Sequence, residues 1–210
     1  MNIAVRFDKA TPKAKRTRER ILDAAMRLLA EVGYHAATNG RVADASGLTR
    51  GAMLYHFATR EDLIEAAVAH IQAARLSLLD AAAAAPPPGA DATAHAIEAY
   101  WRMLSEVPFL AFAELQAVAR TDAMVRHRVA DAEAAFDRAQ VGAGFLALAT
   151  AGSGERFQTS RDLARLLLEG LARANLAYDR EPRTRNLLAV LERAVRMLNR
   201  KGPVQDLWPD

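Results

Sequence analysis

A four-residue turn between two short helical segments constrains the fold of this chain more than any other feature. Ser46-Gly47-Leu48-Thr49 separates a predicted helix near residues 39–45 from another near residues 50–57. Two helices joined by such a glycine-containing turn form a helix-turn-helix motif, whose second helix fits the major groove of DNA. A tight hairpin in any helical protein has the same spacing, so the turn favours this interpretation without establishing it.

Helical periodicity on both sides of the turn predicts an all-α protein. Ile21, Ala25 and Leu28 recur at helical spacing, and Gly33 stands where a glycine ends a helix. Thr38 and Thr49 are good N-caps for the two short helices, because a threonine oxygen accepts a hydrogen bond from a free amide of the first turn. Apolar stripes continue to the end of the chain, and we expect about nine helices and no strand.

Proline and glycine divide the chain into five parts. Prolines 86–88 cannot continue a helix, so residues 81–90 are expected to form a Pro/Ala-rich loop. The other expected parts are a basic flexible arm (1–16), a three-helix DNA-binding domain (17–60), a connecting helix (61–80) and a helical bundle (91–210). Within the bundle we expect helices to end at Val107-Pro108, to start at Thr121 and at Thr159 or Ser160, and to turn at residues 179–182.

The small net charge of +3 is unevenly distributed. Residues 1–60 hold 11 basic and 5 acidic side chains, whereas residues 61–210 hold 17 and 20. A basic first third on a mildly acidic remainder is typical of a domain that meets a polyanion. A solvated basic tail without a partner would give the same count.

Several classes of protein are disfavoured by composition. The chain has no cysteine, which excludes disulfides and thiolate metal sites. The five histidines show no metal-ligand spacing, and no catalytic motif is present, so we expect no metal, no cofactor and no enzyme activity. No long apolar run and no secretory signal are seen, and we expect a cytoplasmic protein without a membrane partner.

The stretch from Lys15 to Ile71 resembles the N-terminal DNA-binding domain of TetR-type transcriptional regulators. The matching residues follow the family order without gaps over more than 50 positions. They are residues 17–25, Gly33-Tyr34, Thr38, Val42-Ala43, residues 45–51, His56-Phe57 and Leu63. The resemblance implies two domains, with a helix-turn-helix reader followed by a helical ligand-binding and dimerisation bundle.

The chain departs from the family pattern at three places in this stretch. One is the opening of the second helix by Asn39-Gly40, two weak helix formers for which we expect a frayed first turn. The family usually has Leu-Tyr two residues after the glycine that corresponds to Gly51, and its tyrosine commonly contacts phosphate; here Met53-Leu54 precede Tyr55. The family's usual lysine at the start of the fourth helix corresponds to Arg60, which can also pair with a phosphate. Leu54 cannot hydrogen-bond to a phosphate, and the sequence leaves open whether Tyr55 does so in its place.

The start of the second short helix is the expected point of base recognition. The N-terminal end of a recognition helix reaches base edges, and a glycine there allows the backbone to approach DNA closely. The candidate DNA-contacting residues are Thr38, Arg41, Thr49, Arg50, Gly51, Ala52, Leu54, Tyr55, His56 and Arg60.

The resemblance also implies a dimer through the last two helices and a small effector bound within the bundle. The candidate dimer residues are Leu163, Leu167, Leu171, Ala174, Leu187, Leu188, Leu191, Val195 and Leu198. The candidate effector-binding residues are Trp101, Leu104, Phe109, Phe112, Gln116, His127, Phe136 and Leu171, with Glu114 as a further polar candidate. Their aromatic character suits a small hydrophobic or aromatic ligand, although ordinary core packing explains any one of them.

The sequence therefore favours a ligand-responsive transcriptional repressor that binds a palindromic operator as a homodimer. The alternative is a helical small-molecule-binding or adaptor protein whose basic arm meets an acidic partner. A gel-shift experiment separates the two.

Overall fold

A computed structural model describes residues 11–82, 88–142, 155–175 and 181–199. Within those ranges all regular structure is helical, which confirms the predicted all-α class, and nine helices are present. They are α1 (Pro12–Val32), α2 (Asn39–Ala45), α3 (Arg50–His56), α4 (Arg60–Ala82), α5 (Ala92–Met103), α6 (Val107–Ala119), α7 (Ala123–Gly142), α8 (Glu155–Asn175) and α9 (Glu181–Asn199).

The first compact unit combines residues 11–75 with residues 107–136. Its core is formed by the apolar faces of α1, α2 and α4, together with Met53 of α3. Ala111, Phe112 and Leu115 of α6 and Val125 of α7 are buried in the same core. The unit that holds the helix-turn-helix motif therefore includes α6 and part of α7 in addition to its three helices and most of the connecting helix.

The second compact unit combines residues 76–106 with the chain after Phe136, of which part is described. Leu168 of α8 and Leu191 and Val195 of α9 are buried here, as are Ile97 and Met103 of α5. The Tyr100 hydroxyl donates to Glu169 Oε1 at 2.9 Å, and the Arg196 guanidinium lies 3.0 Å from the carboxylate of Asp91. α5 is thereby tied to both α8 and α9.

The two compact units do not coincide with the expected division into 17–60, 61–80 and 91–210. The units divide within α4 and within α7, and α6 belongs to the first unit rather than to the bundle after residue 91. The physical reason is burial, because the apolar face of α6 packs against α1 across about 80 residues of sequence. Local periodicity predicts that a face must be buried, but it does not identify the partner.

Five helix boundaries also differ from the expected ones. α1 begins at Pro12, so residues 12–16 are helical rather than part of an arm, with Thr11 Oγ1 accepting from the Ala14 amide. α6 begins at Val107, and Pro108 opens that helix instead of ending the previous one. Asp122, not Thr121, caps α7, since its carboxylate accepts from the Val125 amide. α8 begins at Glu155, so Thr159 and Ser160 lie inside it, and α9 begins at Glu181 within the expected turn.

Residues 1–10 of the expected arm, most of the Pro/Ala-rich loop and the expected loop at residues 151–154 lie outside the described residues. Over the described ranges, no helix is long and apolar enough to cross a membrane.

Candidate functional site

The turn between α2 and α3 has the geometry that its sequence predicts. Gly47 has a φ of 65°, a left-handed conformation that glycine adopts without strain. The Leu48 amide donates to the Ala43 carbonyl at 2.9 Å, and the buried Ser46 hydroxyl donates to the same carbonyl at 2.9 Å. Thr49 is in extended conformation and its Oγ1 accepts from the Ala52 amide at 3.2 Å, which confirms it as the N-cap of α3.

α3 is buried on one side and exposed on the other. Met53, within α3, and Phe57, directly after it, are both buried. They anchor α3 to the core of the first unit. The opposite face carries Arg50, Gly51, Ala52, Leu54 and Tyr55, all of them exposed, with 84% of the Tyr55 side chain accessible. No atom lies within 4 Å of the position of a Cβ on Gly51, so the fold itself does not require a glycine there.

The start of α2 carries two further candidate DNA-contacting residues, Thr38 and Arg41. Thr38 Oγ1 accepts from the Arg41 amide at 3.4 Å, which confirms Thr38 as the N-cap of α2. Arg41 is exposed, and its guanidinium has one long hydrogen bond, 3.5 Å, to the Ala36 carbonyl. Both side chains are therefore on the surface of the first unit.

The environment of Arg60 differs from that of a free phosphate ligand. Its guanidinium donates to the Tyr34 carbonyl at 2.5 Å and to the Ala37 carbonyl at 2.8 Å. It also lies 4.7 Å from the centroid of the Tyr34 ring. Arg60 thus holds the connection between α1 and α2, a role that no local sequence pattern indicates.

His56 is also more enclosed than expected for a residue that flanks a groove. Its Nδ1 is buried, and it has no hydrogen-bond partner among the described residues. Burial lowers the pKa of His56 below its ordinary value of 6.5, and the nearby positive charge of Arg18 lowers it further. The neutral imidazole is therefore favoured.

The first turns of α1 add a basic surface where the sequence predicts a flexible arm. Lys13, Lys15 and Arg16 lie there, and all three are exposed; the first turn has no acidic residue. Positive charge near a helix N-terminus is unfavourable because it repels the positive end of the helix dipole. Thr11-Pro12, a cap followed by a proline at the first helical position, is the signal that identifies this start.

The candidate effector residues fall in both units. In the first unit, Phe109, Phe112 and Phe136 surround the buried guanidinium of Arg75, whose central carbon lies 5.1, 3.7 and 4.2 Å from the three ring centroids. Gln116 bonds to Glu133. In the second unit, Leu104 is buried and Trp101 and Leu171 are partly buried.

Two polar candidates for the effector site have other environments. His127 is 74% exposed and lies 3.9 Å from Asp131, so it is a surface residue rather than part of a buried cluster. Glu114 bonds to the backbone amide of Tyr34 at 2.7 Å.

The candidate dimer residues divide into an exposed and a buried set. Leu163 and Leu187 are exposed, whereas Leu167, Leu171, Ala174 and Leu188 are partly buried. Leu191, Val195 and Leu198 are buried within the second unit, because they lie on the α9 face that packs inside the chain. Leu166 and Val190, which the prediction does not include, are the other exposed large apolar residues that the structure describes on these two helices.

Comparison with known proteins matches the helix-turn-helix region. A family model described as bacterial regulatory proteins, tetR family, matches residues 21–67. The chain is 42% identical over 55 residues to the transcriptional regulator AcrR of Shigella flexneri, covering 26% of each protein. It is 41% identical over 68 residues to the transcriptional repressor AcnR of Corynebacterium glutamicum, covering 32% of this chain and 36% of the relative. The matched region thus spans about a quarter to a third of these relatives.

Solved structures match the fold over most of the chain. A TetR-family regulator from Rhodococcus sp. has a TM-score of 0.63 at 22% identity, covering 89% of this chain and all of the other. The multidrug binding protein EbrR, in complex with imidazole, has a TM-score of 0.57 at 23% identity, covering 90% and 98%. Residues 21–67 thus match the model of the tetR family of bacterial regulatory proteins, and the helical fold of the chain is similar to that of a solved TetR-family protein.

Proposed function

We propose that this protein is a repressor that binds a palindromic DNA operator as a homodimer and releases it when a small effector binds. The observation that carries the proposal is the exposed face of α3. Arg50, Gly51 and Tyr55 are exposed there, on a helix whose other side is anchored by Met53 and Phe57.

Each exposed residue has chemistry that suits DNA. Arg50 lies on the first turn of α3, and a guanidinium can donate two hydrogen bonds to a guanine edge in the major groove. Gly51 allows close approach of the backbone to the duplex. The exposed Tyr55 hydroxyl can donate to a phosphate, a bond that the Leu54 side chain cannot make. Lys13, Lys15 and Arg16 of α1 supply further positive charge, which attracts the phosphate backbone regardless of sequence.

The test is a gel shift with the DNA upstream of the protein's own gene. We expect Gly51→Leu to abolish the specific complex without loss of thermal stability, because open space surrounds Gly51 in the free protein. Arg50→Ala should weaken operator binding and reduce base preference, with a cost of about 1–3 kcal/mol for a bidentate base contact. Arg102→Ala removes the same charge from an exposed site on α5 and serves as the control. Absence of a shift at low salt would favour the adaptor alternative.

Dimerisation is supported by exposed apolar side chains on the last two helices. On α8 the exposed residues are Leu163 and Leu166, and 62% of Leu166 is accessible. On α9 they are Leu187 and Val190, and 55% of Val190 is accessible. Gly170 continues the α8 row at helical spacing, and no atom lies within 4 Å of where its Cβ would be. A row of apolar residues ending in a glycine fits the close approach of a second helix, since such faces are buried against a partner.

Sedimentation velocity tests this interface. The double variant Leu166→Arg/Val190→Arg should be monomeric, because it places two charges in an apolar contact. Val32→Arg changes an exposed apolar residue in the first unit and should leave the dimer intact. A dimer that survives the double variant at micromolar concentration would place the interface elsewhere.

The effector site is proposed on the aromatic cluster of the first unit. Phe109, Phe112 and Phe136 are buried around the Arg75 guanidinium, and aromatic side chains of this kind line sites for hydrophobic or aromatic ligands. Proteins of similar fold have been solved with proflavin, in EbrR, and with stearoyl-CoA, in FadR of Bacillus subtilis. We therefore expect planar aromatic compounds such as proflavin to displace the operator, and Phe112→Leu to require more compound than the wild type.

A further inference from the structure

The connection between α1 and α2 is held from outside by two side chains. Gly33 ends α1 with a φ of 80°, and the Ala37 amide donates back to the Gly33 carbonyl at 3.0 Å. The Thr38 amide then donates to the Ala36 carbonyl at 2.9 Å, and Thr38 caps α2. Arg60, at the start of α4, binds the carbonyls of Tyr34 and Ala37. The position of α2 therefore depends on how this short segment is held.

Glu114 of α6 supplies the second hold. Its Oε1 accepts a hydrogen bond from the Tyr34 amide at 2.7 Å, a short, charge-assisted contact between residues 80 apart in sequence. The same oxygen lies 3.0 Å from the position that a Cβ on Gly33 would occupy. The carboxylate thus fits a space that is open because residue 33 is glycine.

The field of α1 does not account for this position of the carboxylate. The C-terminal end of a helix carries a partial negative charge, which disfavours a nearby anion. Glu114 lies at the end of α1, where it gains from its bond to the Tyr34 amide. The local interaction therefore has to outweigh an unfavourable field.

A second contact ties the same tyrosine to the start of α7. The Tyr34 hydroxyl lies 3.5 Å from Asp122 Oδ2, and the other oxygen of Asp122 caps α7. Burial and the charge of Asp122 both raise the pKa of Tyr34, so its hydroxyl keeps its proton and donates. The middle of α6, through Glu114, and the start of α7, through Asp122, are thus attached to one residue of the connection.

We propose that Glu114 is a positioning residue of the DNA-reading helices. It fixes α6 to the connection that leads into α2, so that any displacement of α6 along its axis either carries Tyr34 with it or breaks the bond. The inference rests on the proposed function and adds to it the point at which α6 acts on the reader. Glu114 is therefore not assigned to the effector site.

A matched set of variants tests the proposal. Glu114→Ala removes the acceptor, and Glu114→Asp keeps the charge while withdrawing the oxygens by about one bond length. Glu65→Ala is the control, because it removes a carboxylate of the same unit that pairs with Arg128 and does not touch the connection. The readouts are hydrogen exchange of the Tyr34 amide and affinity for the upstream DNA, both without effector.

We expect exchange of the Tyr34 amide to accelerate about tenfold in Glu114→Asp and Glu114→Ala and to stay unchanged in Glu65→Ala, since a bond worth about 1.4 kcal/mol corresponds to a factor of ten. The dissociation constant for DNA should rise about threefold to tenfold in the two Glu114 variants, because a smaller fraction of the protein holds α2 and α3 in the binding arrangement. If Glu114→Ala does not fold, Glu114→Asp carries the test.

Two outcomes overturn the proposal. One is a wild-type exchange rate at Tyr34 in Glu114→Asp, which would show that the bond does not hold the connection. The other is accelerated exchange with unchanged DNA affinity, which would make Glu114 purely a stability residue. If the wild type binds no DNA at all, the proposed function fails, whereas the exchange result still reports on the bond.

Discussion

Replacement of Arg60 by alanine distinguishes the structural role of this side chain from the phosphate contact that the sequence suggested. The guanidinium donates to two backbone carbonyls, at 2.5 and 2.8 Å, and lies over the Tyr34 ring. If Arg60 holds the connection, its removal should destabilise the protein. If it is a free cation, its removal should leave stability unchanged and weaken binding to every DNA sequence.

The magnitude follows from these contacts. Two hydrogen bonds from a charged donor, at about 1.5 kcal/mol each, give about 3 kcal/mol, and water that replaces the partly exposed Arg60 side chain restores part of it. A cation–π contact at a partly exposed site adds about 0.5 kcal/mol. We expect a net loss of about 2 kcal/mol. For a chain of 210 residues this lowers the melting temperature by about 4–8 °C.

Arg41→Ala is the matched control, since it removes the same charge from the same unit and breaks only a long hydrogen bond. Thermal unfolding and a salt titration of DNA binding are measured on both variants. Arg41→Ala should reduce the salt slope by about 0.9 with an unchanged melting temperature. Arg60→Ala should melt earlier with an unchanged slope. An Arg60→Ala protein that melts like the wild type and whose slope falls by about 0.9 would refute the structural role.

Three further predictions concern single groups. Tyr55→Phe should weaken DNA binding without changing stability, which a gel shift and a melting curve check, because the side chain is exposed in the free protein. Because the pKa of His56 is lower in the folded protein, the unfolded chain binds a proton at His56 more readily. The free energy of unfolding therefore has its full contribution from neutral His56 above pH 6.5, and this contribution is lost as the pH falls through the folded pKa. Urea unfolding between about pH 7.5 and 5.5 should therefore show a smaller pH dependence for His56→Gln. Asp91→Ala should cost about 1–2 kcal/mol in the same assay, because it removes the cap of α5 and the partner of Arg196, whereas Asp80→Ala should cost little.

Local sequence rules predicted the helix-turn-helix motif well. Thr38 and Thr49 cap the helices that follow them, and Gly33 and Gly47 adopt the positive φ values that end helices and form tight turns. These rules work because a cap or a turn is decided by residues within about four positions of one another. The same rules identify the start of α1 at Thr11-Pro12, ahead of the expected boundary at residue 17.

The roles of Arg60 and Glu114 could not be predicted in this way. Each binds backbone groups that are 23 to 80 residues distant in sequence, and no periodicity encodes the partner. The apolar residues of α9 show a related limit. Helical spacing marked Leu187 and Leu191 as members of one stripe, but only packing shows that the first is exposed and the second is buried inside the chain.

The placement of α6 has a consequence for how a signal would pass through this protein. If α6 belonged only to the ligand-binding bundle, a change there would have to reach the reader through α4, the helix that continues from one unit into the next. Instead, Ala111, Phe112 and Leu115 share a core with α1, and Glu114 holds the connection to α2. Phe112 also contacts the guanidinium of Arg75 within the proposed effector cluster. α6 thus carries a candidate ligand contact at Phe112 and, two residues later, a contact to the reader at Glu114. A displacement of α6 by less than one helical turn would therefore alter both contacts.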